Sequence, residues 1–276
     1  MAAHRTSAAM PSPPDLFDMR ARELGRDRAF RSGPVLFLYE RAFTDVVERI
    51  ADVKRPFSSA LLVGTPDPAW PARLGEIAGN VTAIDPGHAF ARSSGGRQAR
   101  EDRIDLQPGS FDLVVAIGTL DTVNDLPGAL LRLRFLLKPD SLLIGAMSGG
   151  ETLPRLRHAM RAADLAAGAA SPHVHPRVEP AALAQLLSSA GFVMPVVDVD
   201  RARVAYRTLR QLVADLRGMG VTNVLTARSA KPLSRSALSA AERAFQSEAE
   251  EGRVTETFEL LHFAAWSPPE PPAEEG

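Results

Sequence analysis

The stretch FDLVVAIGTLDTVNDLPGALLRLRFLLKPDSLLIGAMSGGETLPRLR, Phe111 to Arg157, admits few folds. Leu113 to Ile117 is a short apolar run, as expected of a strand covered on both faces. A loop then leads into an amphipathic segment over Leu126 to Leu137 with helical spacing. Lys138-Pro139-Asp140 makes a turn, Leu142 to Met147 is a second apolar strand, and a further helix begins after Gly149-Gly150. Two strands joined through a helix form a crossover unit, because parallel neighbours need a dozen or more residues to return to the same edge. The chain is therefore expected to be α/β.

The preceding segment, SSALLVGTPDPAWPARLGEIAGNVTAIDP, extends this pattern. Ala60 to Val63 and Val81 to Ile84 read as strands, with a helix around Ala72 to Ala78 between them. The second strand ends in Asp85, where a doubly wound sheet presents a carboxylate to the ribose hydroxyls of a nucleotide. Turns that approach such a ligand normally use several glycines, since only a residue without a side chain lets the backbone come close. Here Gly64 is followed by Thr65, Pro66, Asp67 and Pro68, and each proline fixes φ and removes an N–H donor.

Upstream, Phe37 to Val53 has the spacing of an amphipathic helix, and LFDMRARELGRDRAF reads as a short helix with a solvated basic face, either one that caps or gates something or a plain surface helix. His88 to Asp112 reads as a polar, flexible loop with a weak edge element near Gln98 to Leu106. Within it, Glu101 and Asp102 either face a bound adenine or are solvated loop acids. Downstream come helices over Thr152 to Ala170, Ala181 to Gly191, Tyr206 to Met219 and Ser236 to Glu250. Strands are expected at Val193 to Val199 and Thr255 to Trp266, the latter able to pair antiparallel beside the fifth strand. The count is about seven strands.

The charge balance of 32 basic against 33 acidic residues excludes a whole-chain field for nucleic acid. Basic residues such as Arg201, Arg203, Arg207 and Arg210 are scattered among acids, so no nucleic-acid partner is expected. The absence of cysteine excludes disulfides, thiolate metal sites and thiol nucleophiles. No apolar run reaches the roughly eighteen residues of a membrane span, and Met1 to Pro14 lacks the apolar core of a secretory signal. The expected organisation is a disordered leader (1–15), one domain (16–266) and a disordered Pro/Glu tail (267–276), in a cytoplasmic protein.

FDLVV, VNDLPGAL, LLKPD and IGAMSGGETLPRLR, with SPHVHP, Asp198 to Tyr206 and DLRGMGVTN, carry a more specific likeness. Over about Leu16 to Trp266 the chain resembles class I S-adenosylmethionine-dependent methyltransferases, in the branch of the mitochondrial complex I assembly factor 5 and its bacterial relatives. The malonyl-carrier-protein methyltransferase of biotin synthesis is a more distant likeness. The resemblance implies a doubly wound, Rossmann-like, mostly parallel seven-stranded sheet with helical insertions and C-terminal additions. It also implies S-adenosylmethionine as cofactor, held around Gly64, Thr65, Asp85, Pro86, Glu101, Asp102, Ile117 and Gly118.

Three stretches depart from the family pattern. Leu62, Gly64, Pro66 and Pro68 stand where the family has a first-strand acid and a Gly-x-Gly-x-Gly run. Arg100 stands where an adenine-side aspartate is expected, and Asp121-Thr122 replace a His-Trp pair. Each charge-assisted hydrogen bond that such a change removes is worth roughly 1.5 to 3 kcal/mol, so two or three together would turn micromolar affinity into millimolar.

Methyl transfer asks the protein chiefly to align an acceptor, with a base where the acceptor is protonated. The acceptor-side candidates are Asp121, beyond the fourth strand, with Glu151, His173 and Tyr206. Asn124 and Asp125 read as caps of the helix that follows. His173 and His175 with Glu151 have the composition of a two-histidine, one-carboxylate iron site. Their proline-flanked spacing equally suits a rigid surface loop, and no metal is assigned. The expected function is methyl transfer to a protein or small-molecule acceptor, with a respiratory-complex subunit as candidate partner. A non-catalytic assembly factor and a protein arginine hydroxylase are the alternatives that the resemblance brings.

Overall fold

The computed structural model describes residues 14–270. Most of the expected leader and the end of the expected tail lie outside them. Seven strands form one sheet: β1 (Ser59–Val63), β2 (Asn80–Asp85), β3 (Arg97–Gln98), β4 (Phe111–Ile117), β5 (Leu137–Ser148), β6 (Val193–Tyr206) and β7 (Val254–Trp266). Their order is β3-β2-β1-β4-β5-β7-β6. All pairings from β3 to β5 are parallel, and β7 lies antiparallel between β5 and β6, as the sequence led us to expect.

Nine helices surround the sheet among the described residues: α1 (Met19–Ser32), α2 (Phe37–Asp52), α3 (Trp70–Ala78), α4 (His88–Ser93), α5 (Leu126–Leu136), α6 (Pro154–Ala167), α7 (Pro180–Ser189), α8 (Leu209–Gly218) and α9 (Arg235–Gln246). The side-chain period of two along β1 sends Leu62 to one apolar layer and Leu61 and Val63 to the other. The first layer holds Phe43 of α2 stacked on Trp70 of α3 with ring centroids 4.3 Å apart, together with residues of α6, α8 and α9. The second holds α5 and α7, through Leu130 and Leu183. Register places Val63 beside Ile84 and Ala116, so β1, β2 and β4 end together and their following loops share one edge.

Three segments differ from the sequence expectation. The polar stretch after β2 contains α4, because Phe90 is buried and meets Phe30 of α1 edge-on at 5.5 Å. β6 runs on to Tyr206, matched residue by residue with β7 from Val196 onward, after a register shift between Val193 and Val196. Most consequential is α1, whose basic residues are not all solvated: Arg22 and Arg26 are each 3% exposed, with Gly25 and Ala29 buried beside them.

Candidate functional site

The carboxyl ends of β1, β2 and β4 form the edge where a doubly wound sheet takes its nucleotide. Asp85 ends β2 and is fully buried. Its Oδ1 accepts from Arg26 Nε at 2.7 Å and from the Gly87 N–H at 2.7 Å. Its Oδ2 accepts from Arg26 Nη2 at 2.5 Å and from the Thr65 N–H at 2.8 Å. Glu101, also fully buried, accepts a two-pronged contact from Arg22 at 2.8 and 2.9 Å. Arg22 further donates from Nε to Thr122 Oγ1 and from Nη2 to the Thr119 carbonyl.

Burial alone would lower the Arg26 pKa, but the charge and hydrogen bonds of Asp85 outweigh it and raise it. Arg22 is raised in the same way by Glu101. Ions withdrawn this far from water are tolerable only when paired with good geometry, and both pairs meet that condition.

These residues do not fit a bound S-adenosylmethionine in this conformation. Asp85 already receives four donors, leaving little capacity for ribose hydroxyls. Glu101 is committed to Arg22, and the Thr65 N–H points at Asp85 instead of outward. Pro86 and Ile117 are buried beside them, and Asp102 is partly buried with an Oδ1 that has no protein partner. Gly64 has a structural reason of its own: with φ at +91°, a Cβ there would lie 2.3 Å from the Ile117 carbonyl oxygen of the neighbouring strand. At Gly118 a Cβ would lie 2.3 Å from the ring of Tyr39, which covers the end of β4 and donates to the Met219 carbonyl.

Across the end of β4 the acceptor-side residues separate. Asp121 is buried and paired with Arg177, both side chains at most 4% exposed. It lines a small cavity at the ends of β4 and β5 with Tyr39, Gly118, Met147 and Arg177. His173 instead pairs with Asp164 at 2.8 Å. Glu151 is exposed. Tyr206 is buried at the end of β6 and donates to Asp215 at 3.0 Å, a contact that raises its pKa together with burial, the larger cause. Asn124 bridges the backbone of Phe17 through both N–H and carbonyl, while Asp125 caps α5 at the Gly128 N–H. His175 accepts from the Val224 N–H through Nε2 at 3.0 Å. Among the described residues no group of three or more His, Asp or Glu is placed to hold a metal ion.

Sequence reasoning missed Arg22, Arg26 and Arg177. The first two carried a signal, an i, i+4 pair of arginines flanking Gly25 on a helix with small residues on the same face. Arg177, in the proline-flanked loop between α6 and α7, carried none.

A methyltransferase-domain model matches residues 37–195, more than half of the chain. The chain is also 32% identical over 275 residues to arginine-hydroxylase NDUFAF5, mitochondrial, of Mus musculus, which covers 95% of this chain and 80% of that protein. The chain belongs to the class I methyltransferase family, in the branch of the complex I assembly factor. A malonyl-[acyl-carrier protein] O-methyltransferase of Laribacter hongkongensis is 30% identical over 65% of this chain and 59% of its own length.

Solved structures of this methyltransferase fold align over most of the molecule. YcgJ of Bacillus subtilis covers 82% of this chain and 100% of its own, with a TM-score of 0.55 at 8% identity. N-methyltransferase NodS of Bradyrhizobium japonicum, in complex with S-adenosylhomocysteine, covers 90% and 99% at TM-score 0.50 and 13% identity. These identities show the fold alone. S-adenosylmethionine binding is a feature of the methyltransferase family. One expectation is corrected here: the sequence suggested a cytoplasmic address, whereas NDUFAF5 relatives from fish, mouse and human are named mitochondrial.

Proposed function

We propose that this methyltransferase-family protein serves respiratory complex I assembly as a binding factor, with its methyl-donor side closed by its own helix α1. The observation that carries this reading is the fully buried Asp85, whose two oxygens are taken by Arg26 and two backbone N–H groups. The branch supplies the biological setting, and a respiratory-complex subunit is the proposed partner. Methyl transfer after withdrawal of α1 is the second reading, favoured by the retention of Asp85 at the end of β2, where a doubly wound sheet presents its ribose-facing carboxylate. Arginine hydroxylation is named for the NDUFAF5 relatives. Here His173 and His175 face different partners, so they do not converge on one site.

Calorimetric titration of the full chain with S-adenosylmethionine tests the reading. No heat of binding is expected up to millimolar cofactor. Submillimolar binding that disappears in Asp85→Asn would overturn it in favour of methyl transfer. For the assembly role, affinity capture from the host should recover a respiratory-complex subunit, and capture without one counts against it.

A further inference from the structure

On the far side of Arg177 from Asp121 lies a larger cavity of about 610 Å³, within the range of small-molecule sites. Leu156 and Met160 of α6, Val213 and Leu216 of α8, and Leu238 of α9 supply its apolar walls. It shares Leu153, Arg177, Leu216 and Val221 with the small cavity at the strand ends, so its inner wall abuts the edge where this fold holds its acceptor.

Three observations give the cavity a polarity. The Arg177 side chain is 4% exposed and pairs with Asp121 through Nη1, yet its Nε–H has no hydrogen-bond partner. A buried donor left unmade costs about 1 to 3 kcal/mol, so its retention points to an acceptor supplied from outside the chain. Second, Arg210 and Arg217 of α8 stand on the rim without a carboxylate partner among the described residues, against the single acid Glu242. Of the other polar side chains on the wall besides Thr222, His173 is occupied with Asp164, His175 with the Val224 N–H, and Asn223 with the Pro172 carbonyl and the Leu225 N–H. Third, the field behind the wall is positive beyond what Asp121 neutralises. Burial first, then Arg177, lowers both His175 and Arg157.

We propose that this cavity binds a single-chain amphiphile whose anionic head, a carboxylate or a phosphate, accepts a hydrogen bond from Arg177 Nε. Its apolar body lies along Leu156, Met160, Val213 and Leu238. Neither Asp85 nor Glu101 lines the cavity, so it is separate from the cofactor side.

The test is calorimetric titration of the full chain with decanoate, decyl phosphate and decanol, all below their micelle concentrations. At least one acid should bind about tenfold or more tighter than decanol, the ratio a charge-assisted hydrogen bond gives, and which acid binds tighter identifies the head. Arg177→Lys keeps a positive charge opposite Asp121 and loses the Nε donor, and it should cut that preference about tenfold, the part due to the charge-assisted hydrogen bond. Leu238→Trp, at a position 40% exposed and so tolerant of change, should block all three probes. Equal affinity for acids and alcohol would overturn the proposal. So would a preference undiminished in Arg177→Lys, or no binding of any probe up to millimolar. A parallel titration contains millimolar S-adenosylmethionine, so failure here is read separately from failure of the closed cofactor side.

Discussion

Asp85 concentrates the case at the level of single residues. A carboxylate with no solvent contact accepts hydrogen bonds from one arginine and two backbone N–H groups. Replacing Arg26 by methionine keeps most of the volume and leaves the charge buried alone, which typically costs about 3 to 5 kcal/mol. Urea denaturation should show the loss as a lower midpoint with an unchanged slope, and the double variant with Asp85→Asn should recover part of it. An unchanged midpoint in Arg26→Met would mean that the pair is open to water.

His175 makes a second prediction at this scale. Burial, and then the charges of Arg177, Arg157 and Arg22, push its pKa down to about 4 against a partial counter-effect from Asp121. The folded state thus resists a proton that the unfolded chain accepts near its ordinary value. Stability contributed by neutral His175 is fully present above about pH 6.5 and is lost as pH falls toward 4, by up to about 3 kcal/mol. Glutamine can still accept from the Val224 N–H without titrating. His175→Gln should therefore flatten the stability profile across that window, measured by denaturation at several pH values. His262, lowered mainly by its own burial, leaves a remaining slope of the same sign. A profile identical to that of the unsubstituted chain would refute the assignment.

Among the elements, the crossover from β4 through α5 to β5 was legible because three independent signals agreed there: two apolar strand runs, helical spacing between them and Asp125 at the cap. Asp85 was legible for the same reason, since a strand's end fixes where its last side chain sits. The partners of these residues were not. Arg26 lies 59 positions before Asp85, Arg22 lies 79 before Glu101, and Arg177 lies 56 after Asp121. No local period connects residues so far apart, and a basic helix on a charge-balanced chain reads as solvated until its packing is seen. α4 was hidden by the glycines and serines that close it, and the length of β6 by polar residues on its exposed face. α1 has one local determinant that can be tested apart from its arginines: Asp18 caps it by accepting from the Ala21 N–H at 2.9 Å, and its other oxygen meets Arg228. Asp18→Ala should lower stability by about 1 kcal/mol. Because the cap acts on the first turn alone, hydrogen exchange should quicken at the start of α1 before it does in α2.

At the scale of the whole molecule the question is whether α1 is a lid or a part of the core. A lid would open on its own, at a free energy well below that of global unfolding. α1 is fastened at its start and through its middle. The Asp18 N–H donates to the Val224 carbonyl, and the Thr226 N–H donates to the Leu16 carbonyl, tying the start of the helix to the loop after α8. Further along, Arg22 and Arg26 anchor it to the loop after β3 and to the end of β2. Lifting it would strip two buried carboxylates of their countercharges at once, each a cost of several kcal/mol. That approaches the roughly 5 to 15 kcal/mol by which whole domains of ordinary size are stable. Opening α1 should thus be nearly as costly as unfolding the protein. Native-state hydrogen exchange should place the slowest amides of α1, around Arg26, with those of β1 and β4 and on the same dependence on denaturant. Exchange in α1 through a low-energy opening, with the central strands still protected, would instead identify a lid. That outcome would return the cofactor edge to service and make methyl transfer the better account of this member of the family.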